Sequence, residues 1–209
     1  MKKHCIYGTG GFGREVLCLV KDILSLENKS IKGEVFFLVD DEYFKDDIIM
    51  GIPVIKRSLF KVDEYNVTVA VGDPKLRKKI IDSMPKSTTY STLIHPKSII
   101  SDWVKVEEGS IITAGCILTC NIEIGKHCHL NLNTTIGHDC IIGNYVTTAP
   151  SVNVSGRCIL GDEIYLGSNS AVRENISICN DVIIGMGGIV VKSIIEPGTY
   201  IGNPLMKLR

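Results

Sequence analysis

The stretch Ile136-Gly137-His138-Asp139-Cys140-Ile141-Ile142-Gly143-Asn144-Tyr145-Val146-Thr147-Thr148 reads as two hexads and the opening of a third. Each full hexad begins with an aliphatic residue followed by glycine, and four places after the aliphatic residue lies a small or β-branched one. Extended in both directions, the aliphatic position holds Ile94, Ile100, Val106, Ile112, Leu118, Ile124 and Leu130 on one side and Val154, Leu160, Leu166, Val172, Ile178, Ile184 and Val190 on the other; Thr148 is the one exception. A repeat of fixed period that runs unbroken for this length decides the fold of the segment, because each unit buries its apolar face only against its neighbours. The small slot holds Ser110, Cys116, Cys128, Thr134, Cys140 and Cys158 among others, which suits a narrow interior. Glycine recurs at 125, 137, 143, 161, 167 and 185, and this is read as marking tight corners that a side chain would obstruct.

Residues 1 to about 90 follow a different pattern. Ile6-Tyr7 runs into Gly8-Thr9-Gly10-Gly11-Phe12-Gly13, an amphipathic stretch follows from Arg14 to Leu26, and Glu34 to Val39 is an apolar strand ending at Asp40-Asp41. A third apolar run, Val67 to Val71, precedes Gly72-Asp73-Pro74 and a basic amphipathic helix from Lys75 to Met84. Strands alternating with helices imply a parallel sheet. The G-x-G-x-x-G turn after the first strand fits a backbone that approaches phosphate at a helix N-terminus, with an acid on a ribose or base. About 90 residues are too few for both halves of a dinucleotide fold, so a single nucleotide is expected, held by Gly8, Gly10 and Gly11 and by Asp40 or Asp41. The alternative is a turn that only packs helix against strand. The expected organisation is an α/β domain with a small Rossmann-like parallel sheet over 1–90 and a parallel β-helix with a C-terminal cap over 91–209.

Composition agrees with a strand-dominated chain. There are 30 Ile against four Ala in 209 residues, and β-branched side chains fit a pleated surface better than a helix. With 23 basic and 23 acidic residues, there is no electrostatic footprint for nucleic acid or an anionic membrane. No apolar run reaches the ~18 residues needed to span a bilayer. The N-terminal residues lack the apolar core of a secretory signal, so the eight cysteines are expected to be reduced thiols in the cytoplasm. Cys116, Cys128, Cys140 and Cys158 fall in the inward slot and are read as apolar filler rather than nucleophiles.

His138 lies two places after an inward Ile, on a corner or outer face, where an imidazole can take and return a proton near neutral pH. Asp139 beside it could fix its tautomer. The alternative is a solvated corner pair. His127 and His129 flank inward Cys128, but their hexad positions differ from that of His138, and no metal site is expected.

These features resemble the hexapeptide-repeat acyltransferases, in which three hexads make one triangular coil of a left-handed parallel β-helix and residues eighteen apart stack. Together with the Gly-rich first domain, the chain resembles bacterial sugar acetyltransferases that N-acetylate nucleotide-linked 4-amino sugars for surface glycans, and others acting as sialic-acid O-acetyltransferases. The resemblance implies acetyl-CoA as co-substrate, a nucleotide-sugar acceptor, His138 as the base with Asp139 supporting it, and Asn131 near the acceptor sugar. It implies a homotrimer with the site between adjacent β-helices. The C-terminal coils, with Gly167, Gly185, Gly187 and Lys192, resemble the family's acetyl-CoA region, although Leu205 replaces the usual Ala after Asn203-Pro204. Where some members carry a second active-site His, this chain has Thr147. The competing readings are O-acetylation of a sugar hydroxyl, and a non-catalytic nucleotide-sensing scaffold.

Overall fold

The computed structural model describes residues 2–203 and 205–208; the Pro204 of the C-terminal motif lies outside them. The first part of the chain runs β1 (Lys3–Tyr7), α1 (Gly11–Leu26), β2 (Val35–Val39), β3 (Ile48–Ile49), β4 (Ile52–Lys56), β5 (Tyr65–Val69), α2 (Pro74–Ser83) and β6 (Thr89–Tyr90). These strands form one sheet in the order β3-β4-β2-β1-β5-β6, parallel except for the β3–β4 hairpin. Helices cover both faces, which is why β2 is apolar throughout rather than alternating. On one face Val16, Leu17, Leu19, Val20 and Leu24 of α1 pack with Ile6, Val35 and Phe37. On the other, Ile80 of α2 packs with Cys5, Leu38, Val67 and Val69. The helix α2 starts at Pro74 with Asp73 as its cap, whose carboxylate accepts from the Leu76 amide at 2.7 Å. Because β2 and β5 lie on opposite sides of β1, the chain reverses its winding at β1. A crevice opens there beyond the carboxyl ends of the strands.

From Leu93 the chain winds as a parallel β-helix of two- to four-residue strands in three sheets, of eight, six and five strands. Through the coils partners within a sheet are eighteen residues apart: His129 pairs with Ile111 and Thr147, Thr135 with Asn153, Ile141 with Ile159. At the C-terminal end Gly198–Ile201 pairs sixteen residues back with the strand Val182–Ile184, and Met206–Lys207 adds antiparallel to Gly198–Ile201. The interior is a column of Leu118, Ile124, Leu130, Ile136, Ile142, Leu160 and Leu166, with Cys116, Cys128, Cys140 and Cys158 in the small slot. Burial lifts the Cys116 and Cys128 thiols to about 11 and about 12, so they stay protonated.

Two sequence expectations need correction. The recurring glycine does not occupy the tight corner. The left-handed backbone falls two residues later, at His127, Asp139, Tyr145, Glu163, Asn169 and Gly187 (φ between 53° and 68°). The glycines are required by stacking instead: a β-carbon on Gly125 would lie 2.7 Å from the Gly143 backbone, and one on Gly143 2.6 Å from that of Gly161. The first coil also departs from the pattern, for Ile94 is 40% exposed and Ile100 and Val106 are only half-buried. No coil lies beneath them.

The two parts share a polar and apolar interface. Leu93 and Ile111, outward-facing on the eight-stranded sheet, are buried in one cluster with α1. Arg77 of α2 is fully buried. Its Nη1 donates to the Val71 carbonyl (2.7 Å) and to His129 Nδ1 (3.1 Å), and its Nη2 to the Tyr145 carbonyl (2.7 Å). Lys78 pairs with Glu163 at 2.5 Å and Lys75 with Asp181 at 2.6 Å across the same boundary.

Candidate active site

The crevice at the end of β1 is a cavity of about 550 Å³ bounded by Gly8 and Thr9 after β1, Asp40 after β2, Arg57 after β4, Val71 after β5, and Lys79 and Ser83 of α2. Gly8 has φ +109°, and a β-carbon on Gly13 would lie 2.0 Å from the Gly8 carbonyl oxygen. These two glycines let the turn fold tightly against the helix. Gly10 and Gly11 face open space, and α1 has neither a side-chain cap nor an acid in its first turn, so its orphan N–H groups leave room and partial positive charge for an anion.

The two acids after β2 part company. Asp40 lines the cavity and accepts from Arg57 Nη1 at 3.0 Å. Asp41 accepts from the Ser58 amide (2.9 Å) and hydroxyl (2.5 Å), which hold its carboxyl below the usual range and tie down the turn after β4. The Tyr7 hydroxyl, buried at the cavity wall, meets no hydrogen-bond partner among the described residues. Burial and then the Asp40 carboxylate push its phenol above the ordinary value.

His138 sits on the corner after the strand Thr135–Ile136, half exposed. Its Nδ1 lies 2.7 Å from Asp139 Oδ2. The other Asp139 oxygen accepts from Asn121 Nδ2 at 2.6 Å. Hydrogen bonds from Asn121 first and His138 second hold Asp139 below the usual carboxylate range. An ionised carboxylate only accepts, so Nδ1 carries the proton and Nε2 is left as the acceptor. The ring lies on Gly156, one coil on: a β-carbon there would stand 2.6 Å from Nε2 and 2.7 Å from Cε1. Asn121 and Gly156 are not singled out by a linear reading, yet both follow from the coil period, since 121 is 139 less eighteen and 156 is 138 plus eighteen.

Asn131 turns its side-chain amide to the Thr148 carbonyl (3.0 Å), and its backbone N–H donates to the Thr148 hydroxyl (3.2 Å). Thr147 lies on another face from His138. It is buried under the first domain, and its hydroxyl donates to the Gly72 carbonyl at 2.8 Å. His127 and His129 are buried at the same boundary, His127 stacked 5.5 Å from Tyr145 and His129 5.0 Å from Phe12. Among the described residues no three His, Cys, Asp or Glu side chains come together as a metal-ligand set.

At the last coils, Gly167 and Gly185 have packing reasons. A β-carbon on Gly167 would meet the Met186 amide at 2.6 Å, and one on Gly185 the Ile201 side chain at 2.9 Å. Gly187 adopts φ +68° and faces open space. Lys192 is exposed.

Residues 3–84 match the PglD N-terminal domain family. A GDP-perosamine N-acetyltransferase of Escherichia coli O157:H7 is 30% identical over 159 residues, covering 72% of this chain and 68% of that one. WeeI from Acinetobacter baumannii AYE superposes over all of both chains with a TM-score of 0.90 and 30% identity. The acetyltransferase domain of PglB from Neisseria gonorrhoeae FA1090, solved in complex with acetyl coenzyme A, matches over 99% of both chains with a TM-score of 0.86 and 26% identity. The solenoid is thus the left-handed parallel β-helix of those acetyltransferases. No helix among the described residues is long and apolar enough to cross a membrane.

Proposed function

Since the chain belongs to the hexapeptide-repeat sugar acetyltransferases, we propose that it transfers the acetyl group of acetyl-CoA to the amino group of a nucleotide-linked amino sugar, with His138 as the base. The observation that carries the assignment to residues is the His138–Asp139 pair, whose geometry leaves Nε2 as a free acceptor at an exposed corner. As the sugar amine attacks the thioester carbonyl, a C–N bond forms and the C–S bond breaks. Nε2 takes the proton that the nitrogen loses and returns it to the departing CoA thiolate. Asp139 stabilises the imidazolium between the two transfers.

The nucleotide belongs in the crevice. Gly10 and Gly11 leave the N-terminus of α1 open to the diphosphate, and Asp40 supplies the acceptor for a ribose or base. Gly8 shapes that turn. Asp41 keeps the adjoining loop in place through Ser58. Asn131 stands near the acceptor sugar. Gly187 and Lys192, open and exposed, suit the pantetheine and a phosphate of acetyl-CoA, while Gly167 and Gly185 allow the coils beneath to stack. The first domain covers the eight-stranded sheet, whereas His138 follows a strand of the six-stranded one. A homotrimer in the cytoplasm, in which the His138 corner of one protomer meets the substrates held by a neighbour, fits that separation. The exposed Ile141 and Ile159 supply apolar surface for it.

Thiol release from acetyl-CoA with a panel of GDP-, UDP- and dTDP-linked amino sugars tests the reading. Turnover with one nucleotide class and its loss in His138→Ala is expected. Turnover with a free sugar alcohol in place of every amine identifies an O-acetyltransferase. Absence of turnover with all acceptors, despite nucleotide binding, identifies a scaffold.

A further inference from the structure

The corners of this solenoid adopt a left-handed backbone, and asparagine there needs no functional reason, because it tolerates that conformation. Asn121 (φ 53°) occupies one such corner. Its amide meets a carboxylate one coil on, as that of Asn144 meets Asp162 Oδ1 at 3.2 Å; what sets Asn121 apart is that its carboxylate partner also holds a histidine. In the ladder of Asn144, Asp162 and Asn180, each side-chain oxygen accepts from a backbone N–H one coil below, as with Lys126 N to Asn144 Oδ1 (2.9 Å) and Asp162 N to Asn180 Oδ1 (2.9 Å). That ladder holds coil to coil. Asn121 gives its Nδ2 to the Asp139 carboxylate on the oxygen not used by His138, so its bond ends at the His138–Asp139 pair rather than in the ladder.

We propose that Asn121 is a positioning residue for the acetyl transfer: it anchors one oxygen of Asp139 so that the other holds His138 in the tautomer with Nε2 unprotonated. The inference rests on the reading of His138 as the base. A carboxylate at an exposed corner is free to rotate about its terminal bond, and water competes for either oxygen. An amide donor at 2.6 Å opposes that rotation. The chain is then amide to carboxylate to imidazole, running across two coils, and only its last member touches the substrate.

The test uses the full-length protein with Asn121→Gly, which keeps the left-handed corner cheap while deleting the amide, and Asn121→Asp, which replaces the donor with a second carboxylate. Asn121→Gly is expected to lower kcat roughly 10-fold with both KM values unchanged. Asn121→Asp is expected to move the acidic limb of the kcat/KM profile upward by about one pH unit, since added negative charge favours the imidazolium. Nitrogen-15 spectra of the His138 ring are expected to show the Nδ1-protonated form in the unmodified protein and a mixture of tautomers in Asn121→Gly. Unmoved kcat, pH profile and ring spectra in both variants, beside an inactive His138→Ala, would overturn the proposal and leave the base assignment standing. Retained turnover in His138→Ala would sink the base assignment, and the ring spectra would then still decide whether Asn121 sets the tautomer.

Discussion

Gly156→Ala isolates the seat of the His138 ring from the rest of the chemistry. The new methyl carbon would stand 2.6 Å from Nε2, 2.7 Å from Cε1 and 3.0 Å from Cδ2. Contacts of a β-carbon ordinarily begin at 3.4 Å, so the ring has to move by about 1 Å, a displacement of the kind that costs on the order of 10²-fold in rate. The backbone at 156 is not in the left-handed region, so alanine is conformationally compatible there. Because His138 is 50% exposed, its ring can swing towards solvent without opening a cavity. Stability is therefore expected to change by no more than ~1 kcal/mol, which for a chain of this size moves the thermal midpoint by about 2–4 °C. The assay is thiol release from acetyl-CoA with saturating acceptor, alongside a thermal melt. A variant that keeps kcat within about 3-fold of the unmodified protein would refute the reasoning, for it would mean that the ring works from a position other than the one packed on Gly156.

Three further outcomes are expected. Burial first, and then the charge of Arg77, keep His129 neutral in the folded chain, and burial holds His127 down to about 4. Both folded values lie below the unfolded value of 6.5, so stability is full above pH 7 and declines as pH falls towards 4, by about 2 kcal/mol at pH 5 for the His127 ring, with His129 acting in the same direction. Urea midpoints at pH 7.5 and 5 check this, and equal midpoints would contradict it. Arg77→Met strands the Tyr145 and Val71 carbonyls at the domain boundary and is expected to cost about 3 kcal/mol by chemical denaturation, with faster proteolysis near residues 85–95. Lys192→Ala is expected to raise KM for acetyl-CoA roughly 5-fold without changing kcat, and the difference should shrink in high salt; an unchanged KM removes Lys192 from that site.

Much of the architecture was legible because the solenoid is quasi-one-dimensional: each hexad meets only its neighbours, so a period in sequence becomes a period in space. The same logic put Cys140 beside Cys158, whose amide lies 3.4 Å from the Cys140 sulfur. It misread the glycines, because a recurring Gly has two explanations, a left-handed corner and a close backbone approach, and composition does not distinguish them. In the first domain the strand–turn–helix signal located the crevice, but not which acid lines it. Asp40 and Asp41 are adjacent in sequence, and only the bond of Arg57 to the first and those of Ser58 to the second separate their roles.

The sequence by itself determined the coil period, the two-part organisation and that His138 stands outside the core, on a corner or outer face, since all three depend on local spacing. Tertiary structure alone decided what that corner can do. The partners of the His138–Asp139 pair come from residues 121 and 156, a full coil away on either side. Likewise Arg77, His127, His129 and Thr147, polar groups that a linear reading leaves on the surface or in reserve, are buried because a separate sheet and its helices pack over one face of the solenoid. Burial of a polar group is set by what packs over it and by the partners it meets there, and neither is a property of its own stretch of chain.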